Sequence, residues 1–287
     1  MKAVGFVINH AKLVEFPGGP ALAVEAIRVL LARGVRVLVG AEGGSVLPGA
    51  AAASEEDLAA QAEVLVVLGG DGTILHGARV AAGRIPLLGV RVGGFGFLAE
   101  VNLEDLPGTV ERLAGGDFAI EERMMLQADV ERDGVRRAGF VGLNDAVVSK
   151  SGVARVLNLT AYVNDELLAS YPADGLIVAT PTGSTAYSLS AGGPIVHPRV
   201  EVIIITPISP HTFNARSVIV SRDDRVTIEL SGPAADARLT VDGQVDYPVE
   251  AGDRVSVRRA AQTTKLVRLA RASFYGVLAA KLGWGGR

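Results

Sequence analysis

The stretch Gly69-Gly70-Asp71-Gly72-Thr73 puts one carboxylate inside a turn of three glycines. Before it, Val64-Leu65-Val66-Val67-Leu68 reads as a buried parallel strand, and after it residues 74–81 read as a helix. Strand, glycine turn and helix is how α/β proteins bring backbone N–H groups and a helix N-terminus against phosphate. Gly69, Gly70, Gly72 and Thr73 are the candidate phosphate-binding residues. A carboxylate in such a turn repels its ligand unless it binds a metal or takes a proton. Asp71 is therefore the first candidate for catalysis. The bland alternative is a tight turn in which Asp71 merely caps the helix. The Walker pattern is absent, and no Gly-x-Gly-x-x-Gly follows the first strand, so any phosphate cradle here has another design.

Three further segments carry candidate chemistry. Gly89–Leu98 follows a strand at the carboxyl edge of the expected sheet, where open α/β folds bind ligands. Its glycines allow close backbone approach, and Phe97 is placed either to stack on a ring or to fill the core. Asn144-Asp145 sets an amide beside a carboxylate before a strand, a pair suited to the two hydroxyls of a ribose and equally to an ordinary turn. Asp174–Pro194 is the densest polar and glycine cluster of the chain. There a buried strand runs into Thr180-Pro181-Thr182-Gly183-Ser184-Thr185, with a short helix expected to follow and Tyr187 available for stacking. Asp242-Gly243-Gln244 reads as a β-turn. The four histidines show no metal-ligand spacing, and His211 has no partner in sequence. No Gly-x-Ser-x-Gly elbow supports a serine triad.

The elements that must position these residues change in texture along the chain. The first hundred residues alternate strand and helix: a strand at 3–8, an amphipathic helix at 21–33 closed by Gly34, and strands at 35–39, 64–68 and 85–90. Residues 41–53 read as loop. This alternation implies a mainly parallel, doubly wound, Rossmann-like sheet. Beyond about residue 100, short alternating strands are separated by turn signals such as Asp133-Gly134 and Asn164-Asp165. They imply a β-sandwich-like second domain. The expected division is an α/β nucleotide-binding domain over 1–100 and a β-rich domain over 101–270, with a short helix in the tail of about 271–287 packing back on the first.

Composition sets limits on function. A formal net charge of −3 gives no global basic field to recruit nucleic acid. The absence of cysteine removes disulfides, thiolate chemistry and cysteine-ligated zinc, and it fits a reducing compartment. The N-terminal apolar run is short and reads as a strand rather than a signal peptide. No apolar run approaches the roughly 20 residues needed to span a bilayer. A cytoplasmic protein without membrane or nucleic-acid partners is expected.

Taken together, Gly69–Thr73, Asn144-Asp145, Asp174–Pro194 and Asp242-Gly243-Gln244 resemble the NAD kinase family, in that family's order and over most of the chain. The glycine–aspartate turn is shared with phosphofructokinases and with diacylglycerol and sphingosine kinases. The run from Thr180 to Pro194 is the more specific part. The resemblance implies phosphoryl transfer from ATP, in some members polyphosphate, to the 2′-hydroxyl of the adenosine ribose of NAD. It implies a divalent metal, usually magnesium, with no permanent protein metal site, and a homodimer or homotetramer. Carried over by position, Asp71 would be the general base, with Gly72 and His76 lining the same turn and helix. Asn144 and Asp145 would hold the ribose. Arg155, Asp174, Thr185, Ala186, Tyr187, Ser188, Leu189, Ser190 and Gln244 would complete the dinucleotide pocket. The family often has Glu where this chain has Asp145, and commonly Asn where it has Arg91.

Two rival readings follow from the same residues. A lipid kinase of the diacylglycerol or sphingosine type shares the glycine–aspartate turn and a β-rich second domain, but it would want an apolar acyl groove or a membrane-facing patch, and the sequence offers no basic amphipathic helix for that. A non-catalytic NAD-binding module would gain nothing from a carboxylate in its phosphate turn.

Overall fold

The computed structural model describes residues 1–40, 47–94, 96–151, 156–231, 237–269 and 273–284. The chain divides into two compact units, Met1–Glu122 with Thr264–Arg287, and Arg123–Thr263.

The first unit begins with β1 (Ala3–Ile8), α1 (His10–Glu15), α2 (Gly19–Ala32), β2 (Arg36–Gly40), β3 (Ala51–Ala53) and α3 (Glu55–Gln61). It continues with β4 (Val64–Gly69), α4 (Asp71–Ala81), β5 (Leu87–Arg91), β6 (Val101–Asn102) and α5 (Leu106–Ala114). The strand order is β3-β2-β1-β4-β5, with every pairing parallel. After β1 the chain moves outward to β2 and β3, then returns to the other side of β1 for β4. The topological switch therefore falls between β1 and β4, and open α/β sheets bind ligands beyond the carboxyl ends of the strands at that point. The glycine–aspartate turn leaves one of those ends, and Asn9 leaves the other, where its amide donates to Leu68 O at 2.9 Å.

The apolar pattern explains the layers. All six residues of β4 are buried, as expected for a central strand covered on both faces. On α2, Ala23, Ala26, Ile27 and Leu30 are buried at helical spacing, and their core continues through Val4, Phe6, Val66 and Leu68. That helix starts at Gly19, two residues before the sequence expectation, because Pro20 fits a first turn that needs no N–H from it. Two elements depart from the sequence reading. Residues 51–53 form the strand β3 along β2 rather than loop, three alanines too short to show a period. The helix α5 lies where the β-rich region was expected to begin, and it buries Leu106, Val110 and Leu113.

In the second unit one sheet has the order β8-β7-β18-β15-β10-β11. It contains β8 (Val135–Gly142), β10 (Leu157–Val163), β11 (Glu166–Ala173) and β15 (Val226–Ser231), with β7 (Ala119–Arg132) from Arg123 onward and β18 (Arg254–Arg268) as far as Thr263. The other has the order β14-β13-β12-β9-β16-β17, built from β9 (Asp145–Lys150), β12 (Gly175–Ala179), β13 (Val202–Ile208), β14 (Val218–Ser221), β16 (Ala237–Val241) and β17 (Val245–Val249). The pairs β7–β8, β18–β15, β15–β10 and β10–β11, and every neighbouring pair of the second sheet, run antiparallel. Side chains from both sheets, such as Leu126, Leu159 and Ile228 with Val148, Val178 and Leu239, share one core, which is a β-sandwich.

Two of its hairpins turn at the residues the sequence marks. Asp133 and Gly134 have φ of 52° and 72°, Asn164 and Asp165 φ of 49° and 70°. Positive φ at both central residues is the type I′ turn that matches strand twist. The outer face of β12 is covered by a second cluster containing Ile177, Ala179 and Val196, which anchors the segment leaving that strand. That segment carries a single 3-10 turn, Gly183–Thr185, and the short helix α6 (Tyr187–Ser190). The last helix, α7 (Phe274–Leu282), belongs to the first unit.

Candidate functional site

At the switch point a cavity of about 910 Å³ opens at the carboxyl ends of β1 and β4, lined among others by Asn9, Lys12, Glu55, Gly70, Asp71, Gly72, Thr73 and His76. Asp71 does not cap its helix. Gly70 is the N-cap of α4 and makes no side-chain cap bond, while Asp71 is the first helical residue. Its carboxylate turns to the Gly89–Leu98 loop, accepting the Phe97 N–H at 2.9 Å and the Leu98 N–H at 3.1 Å. Gly96 makes this possible: a Cβ there would lie 2.2 Å from Asp71 Oδ1. Gly69 is equally constrained, since its Cβ would lie 2.3 Å from Thr73 Oγ1.

The surroundings of this turn are specific. His76, one helical turn beyond Thr73, sets Nε2 3.0 Å from Glu55 Oε1. Its Nδ1 lies 2.8 Å from Arg79 Nη2. A guanidinium only donates, so Nδ1 accepts and the ring proton is on Nε2, facing the carboxylate. Phe97 is half-buried, with the Lys281 ammonium of α7 5.1 Å from its ring centroid. That is a cation–π contact on one face of the ring. Arg91, where the resemblance leads one to expect Asn, donates to Asn102 Oδ1.

In the second unit the Asn144-Asp145 pair is built around Asp242. The Asp242 carboxylate accepts the backbone N–H groups of Leu143 at 2.8 Å, Asn144 at 2.7 Å and Asp145 at 3.2 Å. Asp242 itself sits at φ 54°, in the left-handed region that Asp tolerates better than most residues. The other side of the same turn is held by the segment after β12. Thr180 donates its N–H to Asn144 O at 2.8 Å and its hydroxyl to Leu143 O at 2.6 Å. The Thr180 hydroxyl accepts the Gly183 N–H at 3.0 Å. A Cβ at Gly183 would lie 2.0 Å from Asn144 O, so only glycine fits. Two sequence-distant candidates, Asn144-Asp145 and the Thr180–Thr185 run, are thus one structure. Asp145 is 5% exposed. Burial, reinforced by the negative charge of Asp242, pushes its carboxyl up to about 7.

The remaining candidates have distinct surroundings. Asp174 stands between β11 and β12 with its carboxylate 2.6 Å from Lys150 Nζ. Tyr187 and Ser190 are exposed, and Thr185, Ala186 and Leu189 are half-buried. Ser188 is fully buried, its hydroxyl 3.0 Å from that of Thr206, so this hydroxyl fixes the segment from inside. Ser184 does the same toward Pro181 O and Val196. Gln244 is exposed in the β16–β17 turn beside Asp242. Arg155 lies outside the described residues.

Sequence reasoning missed Lys12, Glu55 and the anchoring role of Asp242. The first two sit on elements with no motif of their own. For Asp242 the only local signal is an Asp-Gly turn, and its partners lie 97–99 residues away. Among the described residues, no group of three or more His, Cys, Asp or Glu is placed to hold a metal ion. Among them, too, no helix is long and apolar enough to cross a membrane.

A Rossmann-type strand order, a glycine–aspartate turn at its switch point and an antiparallel sandwich define an α/β phosphotransferase that handles nucleotides. Comparison with known proteins narrows the class. Residues 4–118 match the ATP-NAD kinase N-terminal domain, and residues 143–269 match the ATP-NAD kinase C-terminal domain. The NAD kinase of Geotalea daltonii is 42% identical over 275 residues, covering 96% of this chain and 97% of that one. The NAD kinase of Geobacter sulfurreducens is 45% identical with the same coverage. Among solved structures, yeast NADH kinase complexed with NADH superposes with a TM-score of 0.90 at 25% identity, covering 100% of this chain and 89% of that one. An NAD kinase from Archaeoglobus fulgidus in complex with ATP shares the fold, with a TM-score of 0.72 at 22% identity over 100% of both chains. The chain belongs to the NAD kinase family. It is an enzyme that phosphorylates NAD, and neither the lipid-kinase nor the non-catalytic reading is favoured.

Proposed function

We propose that Asp71 is the general base of this reaction and that ATP is the phosphoryl donor, bound at the Gly69–Thr73 turn. The observation that carries the reading is the placement of the Asp71 carboxylate. It is fixed by two backbone N–H groups at the wall of the cavity rather than spent on capping α4. The adenosine 2′-hydroxyl attacks the terminal phosphorus, the bond to the leaving diphosphate breaks, and Asp71 takes the hydroxyl proton. Phosphoryl transfer asks mainly for positioning and charge stabilisation. A positioned carboxylate that accepts the proton in the transition state contributes typically ~10²–10⁴-fold.

The residues present fit a divalent ion that arrives with the donor. Magnesium is commonly bound through one or two carboxylates, substrate phosphates and water, and Glu55 and Asp71 are the carboxylates lining the cavity. When bound, the ion would spread the charge of the donor phosphates.

The second unit's part in this reading is recognition of the dinucleotide. Asn144 offers both donor and acceptor to a ribose diol, and Asp145 is adjacent on a turn that Asp242 and Thr180 hold rigid. Asp174, Arg155, the 185–190 segment and Gln244 are assigned to the rest of NAD. The protein is assigned to the cytoplasm, and a homodimer or homotetramer is carried by the family resemblance and tested by light scattering of the purified protein. The deciding experiment for the chemistry incubates pure protein with NAD and either ATP-magnesium or polyphosphate-magnesium and measures NADP. NADP formed with ATP supports the donor assignment, and NADP formed with polyphosphate alone overturns it.

A further inference from the structure

The first turn of α1 brings a cation to the phosphate turn. Lys12 lines the same cavity as Asp71, and a Cβ built on Gly70 would lie 3.0 Å from Lys12 Nζ. The ammonium thus sits against the N-cap residue of α4, beside the backbone that opens that helix. Lys12 is exposed, and among the described residues its ammonium has no ion-pair partner. Asn9 fixes the approach by capping α1, its side chain accepting the Lys12 N–H at 3.1 Å. The charge balance of the wall is also unequal. Two carboxylates, Glu55 and Asp71, line the cavity, and a polyanion entering it needs positive charge from protein as well as from any ion it carries. A second feature of the same turn asks for a ligand: His10 lines the cavity, and its Nε2 is buried with no hydrogen-bond partner among the described residues.

We infer that Lys12 binds the phosphate chain of the phosphoryl donor at the Gly70 turn. This rests on reading Gly69–Thr73 as the donor's phosphate turn. A lysine suits the task, because its compact charge on a flexible stem follows a phosphate chain without demanding one planar geometry. The bare backbone of Gly70 lets the ammonium rest against the turn, where a built Cβ would come 3.0 Å from Nζ and press it aside.

The test is steady-state kinetics of Lys12→Met and Lys12→Arg, each with ATP-magnesium varied at saturating NAD and the reverse. Lys12→Met is expected to raise KM for ATP about tenfold, the worth of one charge-assisted contact, and to leave KM for NAD unchanged. Lys12→Arg is expected to recover most of the loss. The dependence of KM for ATP on salt should flatten in Lys12→Met, a change that a merely structural role would not produce. An unchanged KM for ATP in Lys12→Met overturns the inference, as does a rise confined to KM for NAD. Should Lys12→Met not fold, Lys12→Gln gives the same readout with a polar chain. Asp71→Asn, measured alongside, separates the two readings. Its failure to lose turnover would remove the base assignment while leaving the Lys12 result to stand or fall on KM for ATP.

Discussion

Asp71 Oδ2 accepts the backbone N–H of Phe97 at 2.9 Å across 26 residues of sequence. With the Leu98 N–H on Oδ1 at 3.1 Å, each carboxylate oxygen has one backbone donor and keeps a lone pair for substrate. The loop therefore orients the carboxylate without consuming it. Asp71→Asn replaces one of those oxygens by an N–H₂ that must face a donor, and it removes the proton acceptor. The variant should retain NAD binding by calorimetry while turnover falls by ~10²–10⁴. Wild-type-like turnover in purified Asp71→Asn would refute the assignment.

Gly96→Ala tests the positioning rather than the carboxylate. The new Cβ would lie 2.2 Å from Asp71 Oδ1 and 2.8 Å from Cγ, so the side chain or the loop must move. Asp71 keeps its chemical identity and loses its place. We expect kcat to fall by about 10²-fold, as misplacement of about 1 Å commonly does, with little change in melting temperature. An unaltered kcat would mean that the loop does not set the carboxylate's direction.

Asp242 and Gly183 hold the Asn144-Asp145 turn from opposite sides. Asp242→Ala strips three backbone N–H groups of their acceptor, a loss of roughly 2–5 kcal/mol where such donors are buried. Gly183→Ala drives a methyl into the Asn144 carbonyl, which is backbone and cannot yield cheaply. Both variants should melt at lower temperature. In whatever fraction remains folded, KM for NAD should rise while KM for ATP holds. Loss of ATP affinity instead, with NAD affinity intact, would exclude this turn as the ribose-binding element.

The parts of this arrangement that were legible in sequence are the local ones. The run Val64–Leu68 declares a central strand by five apolar residues, and the type I′ hairpins declare themselves by Asp133-Gly134 and Asn164-Asp165. The strand–turn–helix around Asp71 was legible because glycine, carboxylate and helix start are contiguous. Strand order was not legible. It depends on which parallel strands lie side by side, and β1 pairs with both β2 and β4 through backbone alone. Nor was Asp242's role, since a turn aspartate looks the same whether it bonds its own loop or a segment nearly a hundred residues earlier. The surroundings of Ser188 were not legible either. In sequence it is one hydroxyl of a polar cluster, while in the fold it faces Thr206 inside the unit.

Asp145 makes stability depend on pH in a direction unusual for a carboxylate. Burial first, then the charge of Asp242, raises its carboxyl to about 7, against about 3.9 for an unfolded aspartate. Between these values the folded state holds a proton that the unfolded chain has released, so stability falls as pH rises. The contribution is fully present below about pH 4, declines through the interval and is lost above about pH 7. Asp145→Asn has no proton to lose and should flatten this part of the profile. Denaturant melts of both proteins at intervals from about pH 4 to 8 should show the variant gaining on the parent, by a difference on the order of a few kcal/mol across the range. The same titration reaches the ligand. Below about pH 7 the Asp145 carboxyl can donate a hydrogen bond to a ribose oxygen, and above it the group only accepts. KM for NAD should therefore change through neutrality in the parent and stay level in Asp145→Asn. Parallel stability profiles for the two proteins would show that Asp145 is ionised throughout in the folded chain.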